Sequence, residues 1–175
     1  TAVINGVSLG LMSKIRRGKV GIVAASGSGL QEVAVLVHNM GEGVSQAIGT
    51  GGHDLREKIG GIMFLQAIDY FTNDPETEVV VMVSKPPHPS VAKKIYANLP
   101  KNKPSVIFFL GGNAEEIKAA GAYAPKTLEE AAIMAVDLVN GRTPADRDIV
   151  AEDKAALLSL AAEQRVKLAP EQKYM

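Results

Sequence analysis

Residues 18–32 read Gly18-Lys19-Val20-Gly21-Ile22-Val23-Ala24-Ala25-Ser26-Gly27-Ser28-Gly29-Leu30-Gln31-Glu32. Their first half is a run of small and β-branched residues, which predicts a buried strand, and Ser26 to Gly29 break that run. Helical spacing then begins, carried by Leu30, Val33, Ala34 and Val37. A strand, a tight loop and a helix therefore follow one another. Unpaired N–H groups and the positive end of the peptide dipoles meet at a helix start, so this loop is a candidate anion site.

The same alternation of strand and helix continues along the chain. Further strands are predicted at 44–48, 78–84 and 105–110, a weak strand at 122–124, and helices at 59–71, 90–99 and 127–139. Such alternation specifies a parallel sheet that is covered on both faces by right-handed crossovers. We therefore predict an α/β fold, a flavodoxin-like doubly wound parallel sheet in a three-layer α/β/α arrangement. Asp54 is expected to cap the helix after the second strand, and Thr127 with Glu130 forms a capping box.

Three segments are expected along the sequence. Residues 1–17 form a lead-in from a preceding domain, residues 18–141 form the α/β domain, and residues 142–175 form a charged helical tail or linker to a following domain, with an amphipathic helix near 153–166. The sequence begins with Thr1 and its closing residues 170–175 carry no stop signal. We therefore expect a piece of a longer protein.

The composition limits the classes of partner. Nineteen basic and nineteen acidic residues cancel, which disfavours nucleic acid and an anionic membrane surface. No apolar run approaches the roughly 20 residues that a membrane-spanning helix requires. The absence of cysteine excludes disulfides, thiolate nucleophiles and Cys-ligated metals, and residues 1–6 do not read as a signal peptide. The expected protein is cytoplasmic and binds small molecules or other proteins.

The loop of Ser26, Gly27, Ser28 and Gly29 is the predicted phosphate-binding element, with the alternative that it is only a tight turn. It is a poor dinucleotide fingerprint because Glu32 occupies the third glycine position, and it lacks the Gly-Lys-Ser/Thr of a Walker loop.

Other polar residues follow the remaining strands, and ligands of doubly wound sheets bind beyond the carboxyl ends of the strands. They are Gly52, His53, Lys85 and Asn113. The alternatives are that His53 is a solvated loop residue capping a helix and that Lys85 is merely solvated. His38, within the first helix, is expected to be structural, and His88 is ambiguous. The three histidines do not show metal spacing, so no metal is predicted.

Three separate segments carry a resemblance to a known family: residues 18–32, Gly49-Thr50-Gly51-Gly52 before a helix, and Asn73-Asp74-Pro75-Glu76-Thr77-Glu78 before a strand. They resemble the ligase domain of the succinyl-CoA synthetase α subunit over about residues 15–140. Finer details, in residues 1–6, residues 24–32 and Val83-Ser84-Lys85-Pro86-Pro87, are similar to FdrA proteins, which are acyl-CoA synthetase relatives.

The resemblance to the synthetases implies that the Ser26–Ser28 loop points a helix start at a phosphorylated histidine. The segment beyond the fourth strand, Phe109 to Gly121, contains no histidine, and Lys85 replaces the glutamate that orients that histidine. These departures remove the phosphohistidine relay. A lysine at this position makes the site better suited to hold an anion than to activate an imidazole.

The first functional hypothesis is a ligase-like domain of an FdrA-type acyl-CoA synthetase relative that binds a phosphate or acyl phosphate. The resemblance also implies an alternative in purine-nitrogen breakdown, as a subunit of a complex that transfers a carbamoyl group between oxamate and carbamoyl phosphate. A second alternative is a non-catalytic subunit-interface module that uses the apolar helix 59–71. No tightly bound cofactor is expected, and CoA or a nucleotide would be bound through domains absent from this sequence. Other domains or subunits of the same complex are the expected partners.

Overall fold

The computed structural model describes residues 1–10, 12–145, 149–169 and 172. Its strands are β1 (Ala2–Ile4), β2 (Val7–Leu9), β3 (Arg17–Ala24), β4 (Val44–Gly49), β5 (Val79–Ser84) and β6 (Ser105–Phe109). Its helices are α1 (Gly27–Asn39), α2 (Ile62–Asn73), α3 (Pro89–Ala97), α4 (Ala114–Ala119), α5 (Leu128–Val139) and α6 (Ile149–Arg165).

One six-stranded sheet has the order β2-β1-β4-β3-β5-β6. The four strands β4, β3, β5 and β6, which are neighbours in that order, are parallel. Strand β1 pairs antiparallel with both β2 and β4. The parallel part has the flavodoxin-like order, in which the first strand lies between the second and the third. A single parallel bridge between Val106 and Tyr123 lies where the sequence predicts a weak strand. The predicted fold class is confirmed.

Strand residues alternate between two apolar cores, which makes the arrangement three-layered. In β3, Val20 and Ile22 pack on the side of α1 and α5, whereas Val23 packs on the side of α2 and α3. These three side chains are fully buried. Strands that are apolar on both faces are typical of a parallel sheet between helical layers.

The helix predicted from residue 59 begins at Ile62 instead. Gly60 and Gly61 have φ angles of 80° and 78°, a left-handed conformation that a right-handed helix does not contain. Asp54 is confirmed as a cap, because its two carboxylate oxygens accept hydrogen bonds from the N–H groups of Met63 (3.1 Å) and Phe64 (2.8 Å). The capping residue therefore lies well upstream of the helix it serves.

The first nine residues form a hairpin on the β4 edge of the sheet. Asn5 and Gly6 make its turn with φ angles of 49° and 78°, the positive values that a two-residue hairpin turn requires. Asn5 and the buried Gln46 of β4 exchange two hydrogen bonds, Asn5 N to Oε1 at 2.8 Å and Nε2 to Asn5 Oδ1 at 3.0 Å. Part of the predicted lead-in is thus paired with the sheet, and the preceding domain stays a prediction.

The chain divides into two compact units, Thr1–Pro144 and Ala145–Met175. The second contains α6, whose Leu157, Leu158 and Leu160 are exposed. Of the predicted tail, residues 146–148, 170, 171 and 173–175 lie outside the described residues. In the described part of the chain, no helix is both long and apolar enough to cross a membrane.

Candidate functional site

The sheet reverses its winding direction beside β3. The connection from β3 to β4 runs through α1 on one face, and the connection from β5 to β6 runs through α3 on the other face. A crevice therefore opens between the loops that follow β3 and β5, where ligands of doubly wound folds bind. The two loops are residues 25–26 and 85–88.

The N-terminus of α1 lies in this crevice. Ser26 is its N-cap, with φ −102° and ψ 114°, and its Oγ accepts a hydrogen bond from the N–H of Gly29 at 3.2 Å. The Oγ of Ser28 lies 3.4 Å from that of Ser26. Among the described residues, no acceptor bonds the N–H groups of Gly27 and Ser28. The first turn contains no acidic residue, so nothing within it neutralises the positive end of the helix.

A cleft of about 670 Å³ opens in front of this helix start. It is lined by Ala25, Ser26, Ser28 and Ser84 together with residues of the loop 52–57 and the segment 85–88. Its charged and titratable lining residues are Arg56, Glu57, Lys85 and His88. A volume of this size is typical of small-molecule sites.

His88 is held at the edge of the cleft by its neighbours. Its Nδ1 lies 2.8 Å from the Oγ of Ser90 and accepts a longer hydrogen bond, 3.4 Å, from the Ser90 N–H. Its Nε2 lies 3.7 Å from Oε2 of Glu57. The imidazole therefore caps α3 on one side and meets a carboxylate on the other.

The predicted site residues fall into two groups. Ser26, Ser28, Gly52 and Lys85 line the first cleft, and Gly29 lines the neighbouring second cleft. Gly27 occupies the first position of α1, where a side chain would meet open space. His53 and Asn113 line neither cleft. The exposed Asn113 instead caps α4, where its Oδ1 accepts hydrogen bonds from the N–H groups of Glu115 (3.0 Å) and Glu116 (3.4 Å).

Arg56 and Glu57 are site residues that sequence reasoning misses. The loop between β4 and α2 folds back on itself, with the N–H of Gly61 bonded to the carbonyl of Asp54 at 2.8 Å. The carbonyl of Leu55 accepts a hydrogen bond from the His88 N–H at 3.1 Å, which joins this loop to the one after β5. The signal that could have found them is the Gly60-Gly61 pair, which delays the helix and lengthens the loop.

A second cleft of about 740 Å³ lies on the other side of the Ser26–Ser28 turn. It shares Ser26, Ser28, Ser84 and Lys85 with the first cleft. Its remaining wall is mainly apolar and is formed by Val83, Phe108, Leu110 and Leu128. Gly29, Glu32, Lys126, Thr127 and Glu129 complete the lining.

Within the described residues, no group of three or more His, Cys, Asp or Glu side chains is arranged to hold a metal ion. Hydroxyls, free N–H groups and one lysine are donors suited to an oxyanion. The arrangement can therefore bind and orient an anionic group.

Known proteins resemble this chain over long segments. The Escherichia coli (strain K12) protein YahF, which is uncharacterized, is 43% identical over 176 residues, covering 100% of this chain and 33% of YahF. The α subunit of the ADP-forming succinate–CoA ligase of Aquifex aeolicus (strain VF5) is 37% identical over 70 residues, covering 40% of this chain and 22% of that subunit. The chain thus spans a third or less of the length of these relatives.

A solved structure shares the fold. The ATP citrate lyase of Methanosaeta concilii, determined in complex with (3S)-citryl-CoA, superposes with a TM-score of 0.59 at 14% identity over 91% of this chain and 31% of the lyase. At this identity the likeness concerns the fold alone.

The CoA binding domain family matches residues 15–111, which run from the segment before β3 to the loop after β6. The match includes both loops of the crevice and all the residues that line the first cleft. The match lies within this chain, whereas CoA was expected to be bound through domains absent from the sequence. The chain belongs to the CoA-binding domain family and is similar to CoA ligase α subunits.

Proposed function

We propose that the first cleft binds the phosphate group of a phosphate or acyl phosphate ligand, as part of an FdrA-type acyl-CoA synthetase relative. The observation that carries the proposal is the start of α1, which presents the unbonded N–H groups of Gly27 and Ser28 beside the cleft. The hydroxyls of Ser26 and Ser28 supply further donors. Donors of this kind favour an anion without any covalent bond to the protein.

The charges around the helix start support the same ligand. Lys85 lines the cleft, and within the described residues no carboxylate lies within ion-pair distance of it. Its ammonium group is therefore available to the ligand. Glu57, the acidic residue of the cleft, lies 3.7 Å from Nε2 of His88 rather than beside Lys85.

Catalysis in this proposal depends on positioning. The segment after β6 lacks the histidine that the synthetases phosphorylate, so the domain acts without a phosphohistidine relay. Fixed N–H donors orient the phosphate of the ligand and stabilise charge that develops on its oxygens. Other domains or subunits of the same complex supply the acyl acceptor.

Titration calorimetry with inorganic phosphate, carbamoyl phosphate, ATP and CoA tests the proposal. Saturable binding of a phosphate ligand is expected in the unmodified chain. Ser28→Glu places a carboxylate in the first turn of α1 and is expected to weaken that binding at least tenfold by like-charge repulsion. The matched control is Ala114→Glu, which adds the same charge to the exposed first turn of α4, away from both clefts.

Unchanged binding in Ser28→Glu, or equal weakening in Ala114→Glu, would contradict the proposed site. Binding of carbamoyl phosphate well above that of inorganic phosphate would favour the alternative of a carbamoyl-transferring subunit. The absence of binding by all four ligands would favour a role without chemistry.

An interface module is the second candidate. The observation that favours it is a set of exposed apolar side chains along and just before α2, formed by Ile59, Ile62, Met63 and Tyr70. Substituting Ile62 and Met63 by glutamine would then weaken association with a partner subunit and leave phosphate binding unchanged.

A further inference from the structure

We propose that the second cleft receives the organic part of the phosphate ligand, and that this part is an uncharged aliphatic acyl group. The inference rests on the proposed function, because it starts from a phosphate held at the N-terminus of α1. It adds the direction in which the ligand extends and the class of acyl group that fits.

The two clefts share the residues that would hold the phosphate. Ser26, Ser28, Ser84 and Lys85 line both of them. A phosphate held by these residues therefore borders the second cleft as well as the first, and a group attached to it can extend into the second cleft. Its volume of about 740 Å³ is sufficient for a short acyl chain.

The chemistry of the second cleft differs from that of the first. Leu110 is 58% exposed and Phe108 and Leu128 are half-buried, so these three side chains offer apolar surface that is open to a ligand. Val83 is 2% exposed and contributes little of that surface. The lining contains two acidic residues, Glu32 and Glu129, and two lysines, Lys85 and Lys126, so its formal charges sum to zero. Such a cleft gains more from burying methylene groups than from meeting a second carboxylate.

The N-terminus of α5 also borders this cleft but is not an anion site. At the start of α5 the Oγ1 of Thr127 accepts a hydrogen bond from the N–H of Glu130 at 3.0 Å. Glu130 Oε2 in turn accepts a hydrogen bond from the N–H of Lys126. The first turn also contains two carboxylates, those of Glu129 and Glu130, which neutralise the positive end of the helix. The anionic end of the ligand therefore belongs at α1 and its uncharged end towards α5.

Alkyl phosphonates test this orientation because their carbon chains cannot be hydrolysed from phosphorus. We would measure the affinities of inorganic phosphate, methyl-, propyl- and butylphosphonate and 3-phosphonopropionate by calorimetry. Affinity is expected to rise with chain length by up to about fourfold per methylene, which is the value for full burial. Propylphosphonate is expected to bind several-fold more tightly than 3-phosphonopropionate, which has the same length and ends in a carboxylate.

The exposed Leu110 provides the variant. Leu110→Gln is expected to reduce the rise between methyl- and butylphosphonate at least threefold while leaving the affinity for inorganic phosphate unchanged. Leu9→Gln is the matched control, since Leu9 is 49% exposed on β2 and lines neither cleft. The full rise is expected to remain in that variant.

The possible failures are distinguishable. If no phosphate or phosphonate binds, the proposed function is wrong and this inference falls with it. If all the phosphonates bind equally, or if the rise persists in Leu110→Gln, the phosphate site stands and the second cleft does not hold the chain. Tighter binding of 3-phosphonopropionate than of propylphosphonate would overturn the preference for uncharged acyl groups.

Discussion

Gly27 and Gly29 begin the same helix but differ in what a methyl group would meet. A Cβ at Gly27 has no atom within 4 Å, whereas a Cβ at Gly29 would lie 2.8 Å from Cγ1 of Val83 and 3.2 Å from Oγ of Ser26. We expect Gly27→Ala to leave the free energy of unfolding unchanged or to raise it by up to about 1 kcal/mol. Gly29→Ala is expected to lower it by about 1–3 kcal/mol through overpacking.

Urea denaturation of the two variants measures this difference. Because Gly27 and Gly29 lie two positions apart in one helix turn, each variant serves as the control for the other. An equal effect of both substitutions would mean that helix propensity, rather than the contact with Val83, determines the result.

Asp54 is a second residue whose role depends on a few atoms. It is 5% exposed and its carboxylate accepts the N–H groups of Met63 and Phe64. Asp54→Ala leaves two buried or half-buried donors without a partner, so we expect a loss of about 1–3 kcal/mol in the free energy of unfolding. The control is Asp69→Ala, which removes an exposed aspartate from α2, the helix that Asp54 caps. Thermal unfolding of both variants is the measurement, and similar melting temperatures would contradict the assigned cap.

Residues of the site differ in how far the sequence could predict them. Ser26 and Ser28 could be placed at the cleft from the sequence, because their positions follow from one local pattern, a strand that ends at a glycine loop and is followed by a helix. Arg56 and Glu57 were not, because they reach the cleft only through a loop whose shape depends on the hydrogen bond between the Leu55 carbonyl and the His88 N–H. Asn113 shows the opposite case, since its place after a strand suggests a ligand contact and the structure shows a helix cap.

At the scale of elements, a buried polar cluster joins β4 to the turn before β5. The Oγ of Ser45 and Oγ1 of Thr77 lie 2.7 Å apart, and Thr77 Oγ1 also donates to Oδ2 of Asp74 at 2.7 Å. Ser45 is fully buried and Thr77 is 2% exposed. The hydroxyl of Thr77 therefore links two elements where water does not replace it.

Removal of that hydroxyl is expected to cost stability. Thr77→Val keeps the shape of the side chain and leaves the partners on Ser45 and Asp74 unsatisfied, which predicts a loss of about 1–3 kcal/mol. Thr72→Val is the matched control, because Thr72 Oγ1 only donates to the Ile68 carbonyl within α2. Chemical denaturation compares the two, and a loss as large in Thr72→Val would argue against a special role for the cluster.

Helix boundaries were predictable where capping is local. Thr127 and Glu130 lie three residues apart, and the structure confirms the bond from the Glu130 N–H to Thr127 Oγ1. The Glu130 carboxylate bonds the N–H of Lys126 rather than that of Thr127, so the reciprocal half of the box is shifted by one residue. The start of α2 was harder to predict from the sequence, because its cap, Asp54, acts across a loop.

The parallel direction of the strands β3 to β6 follows from the alternation of strands and helices, since each helical crossover returns the chain to the same end of the sheet. The β1–β2 hairpin carries only a local turn signal, Asn5-Gly6, which does not specify the strand that the hairpin pairs with. Its strands are three residues each, and Val3 is buried only because β1 pairs with β4. Short strands that are stabilised by pairing to a distant edge are determined by tertiary contacts rather than by local periodicity.

The first of the two units contains both apolar clusters and both clefts. Both apolar clusters draw their members from residues 3–139, and every residue that lines the two clefts lies within the first unit. A chain ending at Pro144 is therefore expected to fold with a melting temperature within about 3 °C of the full chain, since about 1 kcal/mol corresponds to a shift of 2–4 °C in a protein of this size. It should also keep the full phosphate affinity.

The matched comparison is a chain that begins at Gly10, which loses the hairpin and leaves the edge of β4 unpaired. That variant is expected to melt well below the full chain, and a comparable drop on removal of residues 145–175 would show that the first unit depends on the second.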